Sequence, residues 1–333
     1  MKTSLVAYRA DVTNAALDFI VDQWRKLGST PVPPHEAGIT VDPEVLIALT
    51  TSIGRHDSRV FDGMIDWLVC NGQWINVQRL GRIAAEDGIT DRAALGATAA
   101  WLAARDRSMK WRRLATALRP SGRVVAEPLF VHSAASGRGR RHDDGVFAAY
   151  GLTRGPLVLR EQARPVRLKS PTAILCTSRA VFGVAVRADV MAFLTVNDQI
   201  HPRGLAAALG YNHMQVRTVL LGLEQAGIAT AHSSGRTRQY AIDQEIWRPV
   251  LCDREPTVEW VNWRRLACGI HGIVSGLWAI DAHRADETVA KSLVRDVMRA
   301  SRDSLMTAHP HAASPRGLSR IIGSTLAELL RQS

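Results

Sequence analysis

Histidine and aspartate stand side by side at two places in the chain, and these pairs are the residues best suited to metal-dependent chemistry. They are His56-Asp57 and His142-Asp143. Imidazole and carboxylate groups bind divalent metals, and such pairs occur in metal-dependent phosphohydrolases. Neither pair has a further upstream histidine and downstream aspartate at convincing helical positions, so the sequence does not favour a phosphohydrolase.

Other motifs that indicate an enzyme are absent from the sequence. It contains neither the GxxxxGK[ST] phosphate loop of nucleotide hydrolases nor the GxSxG elbow of α/β-hydrolases. The triplet HPH at 309–311 offers two imidazoles to a metal, but a surface tail with scattered histidines is the better interpretation. We therefore expect no enzymatic activity, no metal and no cofactor.

Cysteine spacing and apolar segments predict a soluble protein of the reducing cytoplasm. The four cysteines are far apart, so neither a disulfide framework nor a zinc site is indicated. They are Cys70, Cys176, Cys252 and Cys268. Arg9 and Asp11 interrupt the N-terminal apolar stretch, which is too short for a signal peptide. The apolar segments 171–194 and 269–280 are broken by arginine or too short to cross a bilayer, so no membrane segment is expected.

The charge balance points to an anionic partner. The 333 residues include 42 Lys and Arg against 31 Asp and Glu, a net charge of +11. Such an excess is typical of proteins that meet phosphates or an anionic surface, although charge alone does not choose between them. Hydrophobic residues make up 46% of the chain, which excludes a disordered polymer, and the length of 333 residues leaves room for two or three domains.

The segment 210–227, GYNHMQVRTVLLGLEQAG, has the pattern of one amphipathic helix. Its apolar residues recur at spacings of three and four, which places them on one helix face. They are Val216, Leu220, Leu223 and Ala226. Asn212 is suited to cap the start, and Gln215 stands where it can complete a capping-box-like pair. Because Gly227 falls where helices commonly end, the sequence predicts a helix over 213–226.

Two further helices are predicted before this segment and a hairpin after it. The first lies in 187–200, and the second begins at Pro202, which suits a first helical turn. Their residues for burial are Val190, Phe193 and Leu194 in the first and Leu205, Ala206 and Leu209 in the second. The β-favouring stretches 228–231 and 238–242 flank a Ser-Ser-Gly sequence, which predicts a hairpin with a basic tip.

This order of elements resembles the winged helix-turn-helix of bacterial regulators of the ArsR and MarR type. The resemblance covers about residues 184–243. Its most specific part is LAAALGYNHMQVRTVLLGLEQAGIA followed by GRTRQYAI, where LEQAGI leads into the wing. Many relatives carry more Arg, Lys or Ser on the recognition helix, whereas here the apolar Val219 and Leu221 follow the polar residues.

The resemblance implies that the second helix of the motif enters the major groove, where its N-terminal residues reach base edges. The implied contacts are Asn212, His213, Gln215, Arg217 and Thr218 on this helix, and Ser234, Arg236 and Arg238 on the hairpin. Glutamine pairs bidentately with adenine and arginine with guanine, while threonine offers a hydroxyl and a methyl group. The hairpin arginines would meet phosphate or the minor groove. The implied function is sequence-specific regulation of transcription on double-stranded DNA.

A different class of function is consistent with the same residues. A helix-turn-helix can serve as a protein-interaction module, and an apolar-rich recognition helix can pack on a protein partner. The alternative to a DNA-binding regulator is therefore an interaction protein, for example the antitoxin or adaptor of a defence system.

Four regions follow from these patterns. They are a helical N-terminal domain (1–116), a basic connector (117–170), the winged helix-turn-helix domain (171–250) and a helical C-terminal region (251–333). In the first, a plain helical core is favoured over a second helix-turn-helix-like unit. In the connector, Arg138, Arg140 and Arg141 form a basic run that is typical of a solvated loop and could also track a DNA backbone. The fold class is mainly α, with a small β-hairpin wing.

The C-terminal region carries an apolar helical stripe. It consists of Trp260, Trp263, Leu266, Ile270, Ile273 and Leu277. An uncovered stripe of this width predicts a homodimer contact, and two copies could read two half-sites about one helical turn apart. Burial of the stripe against N-terminal helices of the same chain is the alternative.

Overall fold

Helices dominate the computed structural model of the chain, which confirms the expected mainly α-helical fold. The structure describes residues 5–31, 38–105, 109–122, 124–131, 144–234, 237–253, 258–280 and 287–309. Within these residues the strands form three sheets of two strands each.

Seven helices and three short strands precede residue 170 in the described chain. The helices are α1 (Leu5–Lys26), α2 (Pro43–Ile53), α3 (Ser58–Asn71), α4 (Val77–Glu86), α5 (Arg92–Arg105), α6 (Met109–Ala117) and α7 (Gly145–Ala148). The strands are β1 (Gly38–Ile39), β2 (Glu127–Pro128) and β3 (Leu152–Thr153).

Seven more helices and three strands follow in the described residues. The helices are α8 (Ile174–Phe182), α9 (Val186–Val196), α10 (Pro202–Leu209), α11 (His213–Gln225), α12 (Gln244–Leu251), α13 (Trp263–Ala279) and α14 (Glu287–Met306). The strands are β4 (Ala229–Ser234), β5 (Thr237–Ile242) and β6 (Val258–Glu259).

The three sheets differ in how far they reach along the chain. β4 and β5 form a local antiparallel hairpin in which Ala229 pairs with Ile242. β1 and β6 pair in parallel, with Gly38 opposite Val258. This second pairing joins the start of the chain to the segment that enters α13. β2 and β3 also pair in parallel.

Local capping chemistry explains where α2 begins. Asp42 accepts a hydrogen bond from the backbone N–H of Val45 at 3.2 Å, and Pro43 occupies the first helical position. Proline suits that position because its missing N–H has no partner in the first turn of a helix. Asp42 therefore caps α2, and the acidic Glu44 lies in its first turn.

Buried apolar side chains form two clusters, which define two units. The main unit comprises α1–α7, α13 and α14. The helix–hairpin unit comprises α8–α12 with β4 and β5, and Trp260 packs with it. Helix α8 touches both, because Ile174 and Leu175 lie in the second cluster while Cys176 lies in the first.

The predicted basic connector, 117–170, supplies large apolar side chains to the main unit. Leu129, Phe147, Tyr150, Leu152 and Val166 are buried in its cluster. The hydroxyl of Tyr150 also donates to the Ala115 carbonyl at 2.8 Å. The described part of this segment therefore packs with the N-terminal helices. Arg138, Arg140 and Arg141 lie outside the described residues.

The C-terminal apolar stripe is covered by the same chain. Trp263, Leu266, Ile270, Ile273 and Leu277 are buried in the main unit. The indole of Trp263 donates to the Thr40 carbonyl at 2.5 Å and lies 6.0 Å from the ring of Phe19. Trp260 instead packs on Phe193, at 4.9 Å between ring centroids. The expectation of an uncovered stripe on α13 is wrong, because helices α1 and α2 pack on it.

Glycines on α13 allow α14 to approach closely. A Cβ atom at Gly269 would lie 2.6 Å from a methyl carbon of Leu305, and one at Gly276 would lie 2.8 Å from Val297. These separations are too short for carbon atoms, so only glycine fits here. The helix pair closes the main unit at its C-terminal side. None of the described helices is both long and apolar enough to cross a membrane.

Candidate nucleic-acid interface

Helix α10 presents the start of the predicted motif. His201 caps it, accepting a hydrogen bond through Nδ1 from the backbone N–H of Arg203 at 3.2 Å, and Pro202 is the first helical residue. The residues predicted for burial, Leu205, Ala206 and Leu209, are buried. The helix ends at Gly210, whose φ of 68° lies in the left-handed region that favours glycine.

The turn between α10 and α11 is anchored by Tyr211. Its side chain is buried, and its hydroxyl donates to Oδ2 of Asp189 at 2.6 Å. The same hydroxyl accepts from the carboxamide of Asn76, in the main unit, at 3.0 Å. Burial raises the pKa of Tyr211, and the charge of Asp189 adds to that effect. Tyr211 is thus a neutral donor that fixes the turn to both units.

Helix α11 runs from His213 to Gln225, one residue shorter than predicted. Asn212 caps it, but its carboxamide oxygen accepts from the N–H of Met214 at 2.8 Å rather than from that of Gln215. Three of the predicted apolar residues, Val216, Leu220 and Leu223, are buried. Ala226 is exposed, because the helix has ended before it and Gly227 turns the chain at φ 70°.

The other face of α11 is open to solvent at its N-terminal half. The exposed side chains there are Met214, Gln215, Arg217 and Thr218, with His213 half-buried and Asn212 exposed just before them. Arg217 forms no ion pair with any residue in the described part of the chain. The Thr218 hydroxyl donates to the Met214 carbonyl at 2.9 Å, so its proton is used within the helix while its oxygen can still accept. The structure thus brings all five predicted residues of this segment to one accessible region.

The hairpin residues are distributed differently. Ser234 ends β4 and pairs with Thr237 across the hairpin. Arg236 lies outside the described residues. Arg238 is half-exposed, and its guanidinium forms an ion pair with Glu224 of α11 and lies 5.5 Å from the ring of Tyr240. The positive charge of Arg238 is therefore shared with Glu224, a contact that the sequence reading missed.

Residues with metal-binding chemistry do not assemble into a site within the described ranges. No group of three or more His, Cys, Asp or Glu side chains is arranged to hold a metal ion there. Asp57 instead caps α3 by accepting from the N–H of Arg59 at 2.7 Å. His309 lies 3.5 Å from a carboxylate oxygen of Glu259. The pair His142-Asp143 and the last histidine of the HPH triplet lie outside the described residues.

Comparison with known proteins identified no relative of this chain. No family model matches the chain, and no curated protein or solved structure gave a significant match. The case for the site therefore rests on this chain's own residues and geometry.

Five buried charged side chains join the two units next to the α10–α11 turn. They are Asp42, Glu44, Arg79, Arg179 and Asp189, which we call the buried ionic cluster. The guanidinium of Arg179 donates to both carboxylate oxygens of Glu44, at 2.7 and 2.9 Å, and to both of Asp189, at 2.9 and 3.0 Å. Glu44 belongs to the main unit and Asp189 to the helix–hairpin unit, so Arg179 connects the units directly.

Arg79 forms the second half of the cluster. Its Nη1 donates to Asp42 and to Glu44, at 2.7 Å each, and its Nε donates to the Leu209 carbonyl at 2.8 Å. Burial opposes ionisation of Asp42, but the charge and hydrogen bonds of Arg79 outweigh it, so the pKa of Asp42 lies below its ordinary value. Because Leu209 ends α10, the main unit holds the turn through backbone as well as through Tyr211.

Sequence reasoning missed this cluster. The apolar segment 171–194, which contains Arg179, was described only as broken by arginine, and Asp42 and Glu44 were given no binding or catalytic role. A charge inside an otherwise apolar helix does signal a buried ion pair, because an unpaired charge is too costly to bury. The signal does not identify the partner, since Glu44 and Arg179 are 135 residues apart.

Proposed function

We propose that the chain is a sequence-specific DNA-binding transcriptional regulator, with α11 as the recognition helix and β4–β5 as the wing of a winged helix-turn-helix. The observation that carries the proposal is the division of α11 into a buried apolar face and an exposed face with Gln215, Arg217 and Thr218 near its start. Helices that read the major groove use side chains at that end. The net charge of +11 supports an anionic partner. Such a regulator works in the cytoplasm.

The geometry around the helix supports this assignment. Tyr211 and Asn212 fix the turn and the cap, so the first turn of α11 is held in place while its outer side chains remain free. A helix start that is already held in place loses less conformational entropy when it binds. The guanidinium of Arg217 can pair bidentately with the O6 and N7 atoms of guanine. Arg238 contributes to the wing, with its charge reduced by Glu224.

Selection of bound genomic fragments followed by gel-shift titration tests the proposal. We expect enrichment of a defined sequence, and Arg217→Ala should cost ~1–3 kcal/mol at that sequence and flatten discrimination among sites. The matched control is Arg59→Ala, which removes an exposed arginine from α3 of the main unit. Equal loss on all sequences after Arg217→Ala would exclude base reading by this residue, and a lack of enrichment would exclude sequence-specific binding.

Pairing of two copies belongs to the same proposal. One α11 offers few base contacts, and a two-fold dimer doubles them over two half-sites. Because the α13 stripe is internal, the contact must use another surface. Light scattering on the intact protein, with and without the selected DNA, measures the number of copies in the particle. A single copy in both states would exclude a dimer.

One observation favours a second candidate function, docking of a protein partner. Apolar side chains are exposed on the helix–hairpin unit at Val181 of α8 and at Ile246 and Val250 of α12. Met214 on the outer face of α11 is exposed as well. An interaction protein of the antitoxin or adaptor kind could bury such residues against its partner, because removing apolar surface from water is favourable. Gel-shift titration separates the two functions, since an interaction protein would show no preferred DNA sequence.

A further inference from the structure

Helix α4 of the main unit lies against the turn that leads into α11. Arg79 of α4 donates to the Leu209 carbonyl at 2.8 Å, and Asn76, the cap of α4, donates to the Tyr211 hydroxyl at 3.0 Å. One helical turn after Arg79, the guanidinium carbon of Arg82 lies 5.3 Å from the centroid of the Tyr211 ring. Arg82 therefore lies beside Tyr211, which is two residues before His213, the first residue of α11. In the sequence, Arg82 precedes His213 by 131 positions.

Two further arginines at this turn, Arg79 and Arg264, are paired with carboxylates. Arg79 pairs with Asp42 and Glu44 within the buried ionic cluster. Arg264 of α13, whose side chain would touch a Cβ atom at Gly210, pairs with Asp87 and with Glu86 at 3.2 Å.

Arg82 differs from these two. It is half-buried and forms no ion pair with any side chain in the described ranges. Its contact with the Tyr211 ring is a cation–π interaction, which orients the guanidinium without neutralising its charge. An oriented, uncompensated cation thus lies beside the N-terminus of α11.

We infer that Arg82 binds the phosphate backbone of DNA beside the groove that α11 enters, so that the main unit contributes to the interface. The inference rests on the proposed function, because it places the duplex at α11. Phosphates line both edges of a major groove that is about 12 Å wide, so a cation next to the entering helix end faces one edge. Arginine binds a phosphate group bidentately, and such contacts fix register without reading sequence.

The salt dependence of DNA binding tests the inference. Arg82→Gln removes the charge and keeps a side chain that can pack on Tyr211, whereas Arg82→Lys keeps the charge. Each lost phosphate contact reduces the slope of log affinity against log salt by about 0.9. We expect Arg82→Gln to weaken binding to the preferred and to random DNA by the same factor. That factor should shrink about 3.5-fold between 50 and 200 mM salt, which is the fourfold salt change raised to the power 0.9.

The variants separate the outcomes. Arg82→Lys should retain the slope of the unaltered protein, and an unchanged slope in Arg82→Gln overturns the inference. Weakening that is equal in both variants also overturns it, because it would show that the contact with Tyr211 matters rather than the charge. Arg59→Gln on α3 is the control for a general loss of one positive charge. If the unaltered protein selects no DNA sequence, the proposed function fails; if it does select one and only the Arg82 slope is unchanged, this inference alone fails.

Discussion

The buried ionic cluster and the outer face of α11 both adjoin the α10–α11 turn, and both are built from arginine and other polar side chains. In the cluster, Arg79 and Arg179 are buried and every guanidinium faces carboxylates. On α11, Arg217 is exposed and lacks an ion pair in the described part of the chain. Residue type alone does not separate a structural arginine from one that is available to a partner, whereas burial and ion pairing do.

The two regions also differ in what a substitution should do. Removing one member of a buried ion pair leaves an uncompensated charge, so it affects folding. Removing an exposed, unpaired arginine affects mainly the partner that it binds. We hypothesise that the cluster sets how the two units dock, because its side chains come from both. They lie on α2 and its cap Asp42, on α4, on α8 and on α9. Free energies of unfolding and DNA affinities, measured on the same variants, test this division.

The largest expected effect is that of Arg179→Ala. This change leaves Glu44 and Asp189 buried without their shared partner, and we expect the free energy of unfolding to fall by ~3–5 kcal/mol. Urea denaturation measures it. The matched variant Arg217→Ala should change the free energy of unfolding by less than about 0.5 kcal/mol. Similar values for the two variants would contradict the division between the regions.

The second-largest effect is expected from acid, which should reduce the contribution of the buried ionic cluster to the free energy of unfolding. The pKa of Asp42 is lower in the folded state than in the unfolded chain, so its contribution is complete above the ordinary pKa of aspartic acid, about 3.9, and is lost as the pH falls through the folded value. We expect Asp42→Asn to have a lower free energy of unfolding than the unaltered protein at neutral pH. As the pH falls, its free energy of unfolding should decrease by less than that of the unaltered protein, as measured by urea denaturation at each pH. Asp198→Asn, at an exposed position, is the control and should follow the unaltered protein.

An intermediate effect is expected at the start of α11. Asn212→Ala removes the cap bond to Met214 and should cost ~0.5–2 kcal/mol of unfolding free energy. Asn212→Ser retains a capping oxygen and should therefore keep most of the unfolding free energy that Asn212→Ala loses. If Asn212 contacts DNA as well, the serine variant should restore stability without restoring affinity in a gel-shift titration. Recovery of both properties would assign the residue to capping alone.

The smallest effect on stability is expected for Glu224→Gln. The Glu224–Arg238 pair is partly exposed, so its loss should cost at most about 1 kcal/mol. The released charge of Arg238 should raise the affinity for preferred and random DNA alike and steepen the salt dependence. An unchanged salt dependence would place Arg238 away from the phosphate backbone. The variant thus shows whether Arg238 is a structural arginine, like Arg179, or one that binds a partner, as proposed for Arg217.

Local signals in the sequence were sufficient to predict the elements around the turn. Pro202, Gly210 and Asn212 act within one turn of their own positions. Helix α10 begins at Pro202 as predicted, and α11 ends one residue before its predicted end. The buried face of α11 followed from periodicity because a helix on a small core has one apolar stripe. Ala226 was misplaced because the predicted helix was one residue too long. The outer face of α11 was predictable for the same reason, as the complement of that stripe.

The sequence by itself therefore determined a mainly helical chain, the caps and turns near α11, and which of its side chains point away from its own core. Only the tertiary structure decided that α1 and α2 cover the stripe around Trp263, that Arg179 meets Glu44, and that Arg82 stands beside Tyr211. The difference lies in the distance along the sequence over which each interaction acts. Capping and periodicity act over one or two helical turns, whereas these contacts join residues more than 100 positions apart, and nothing in the local pattern selects one distant carboxylate or ring over another.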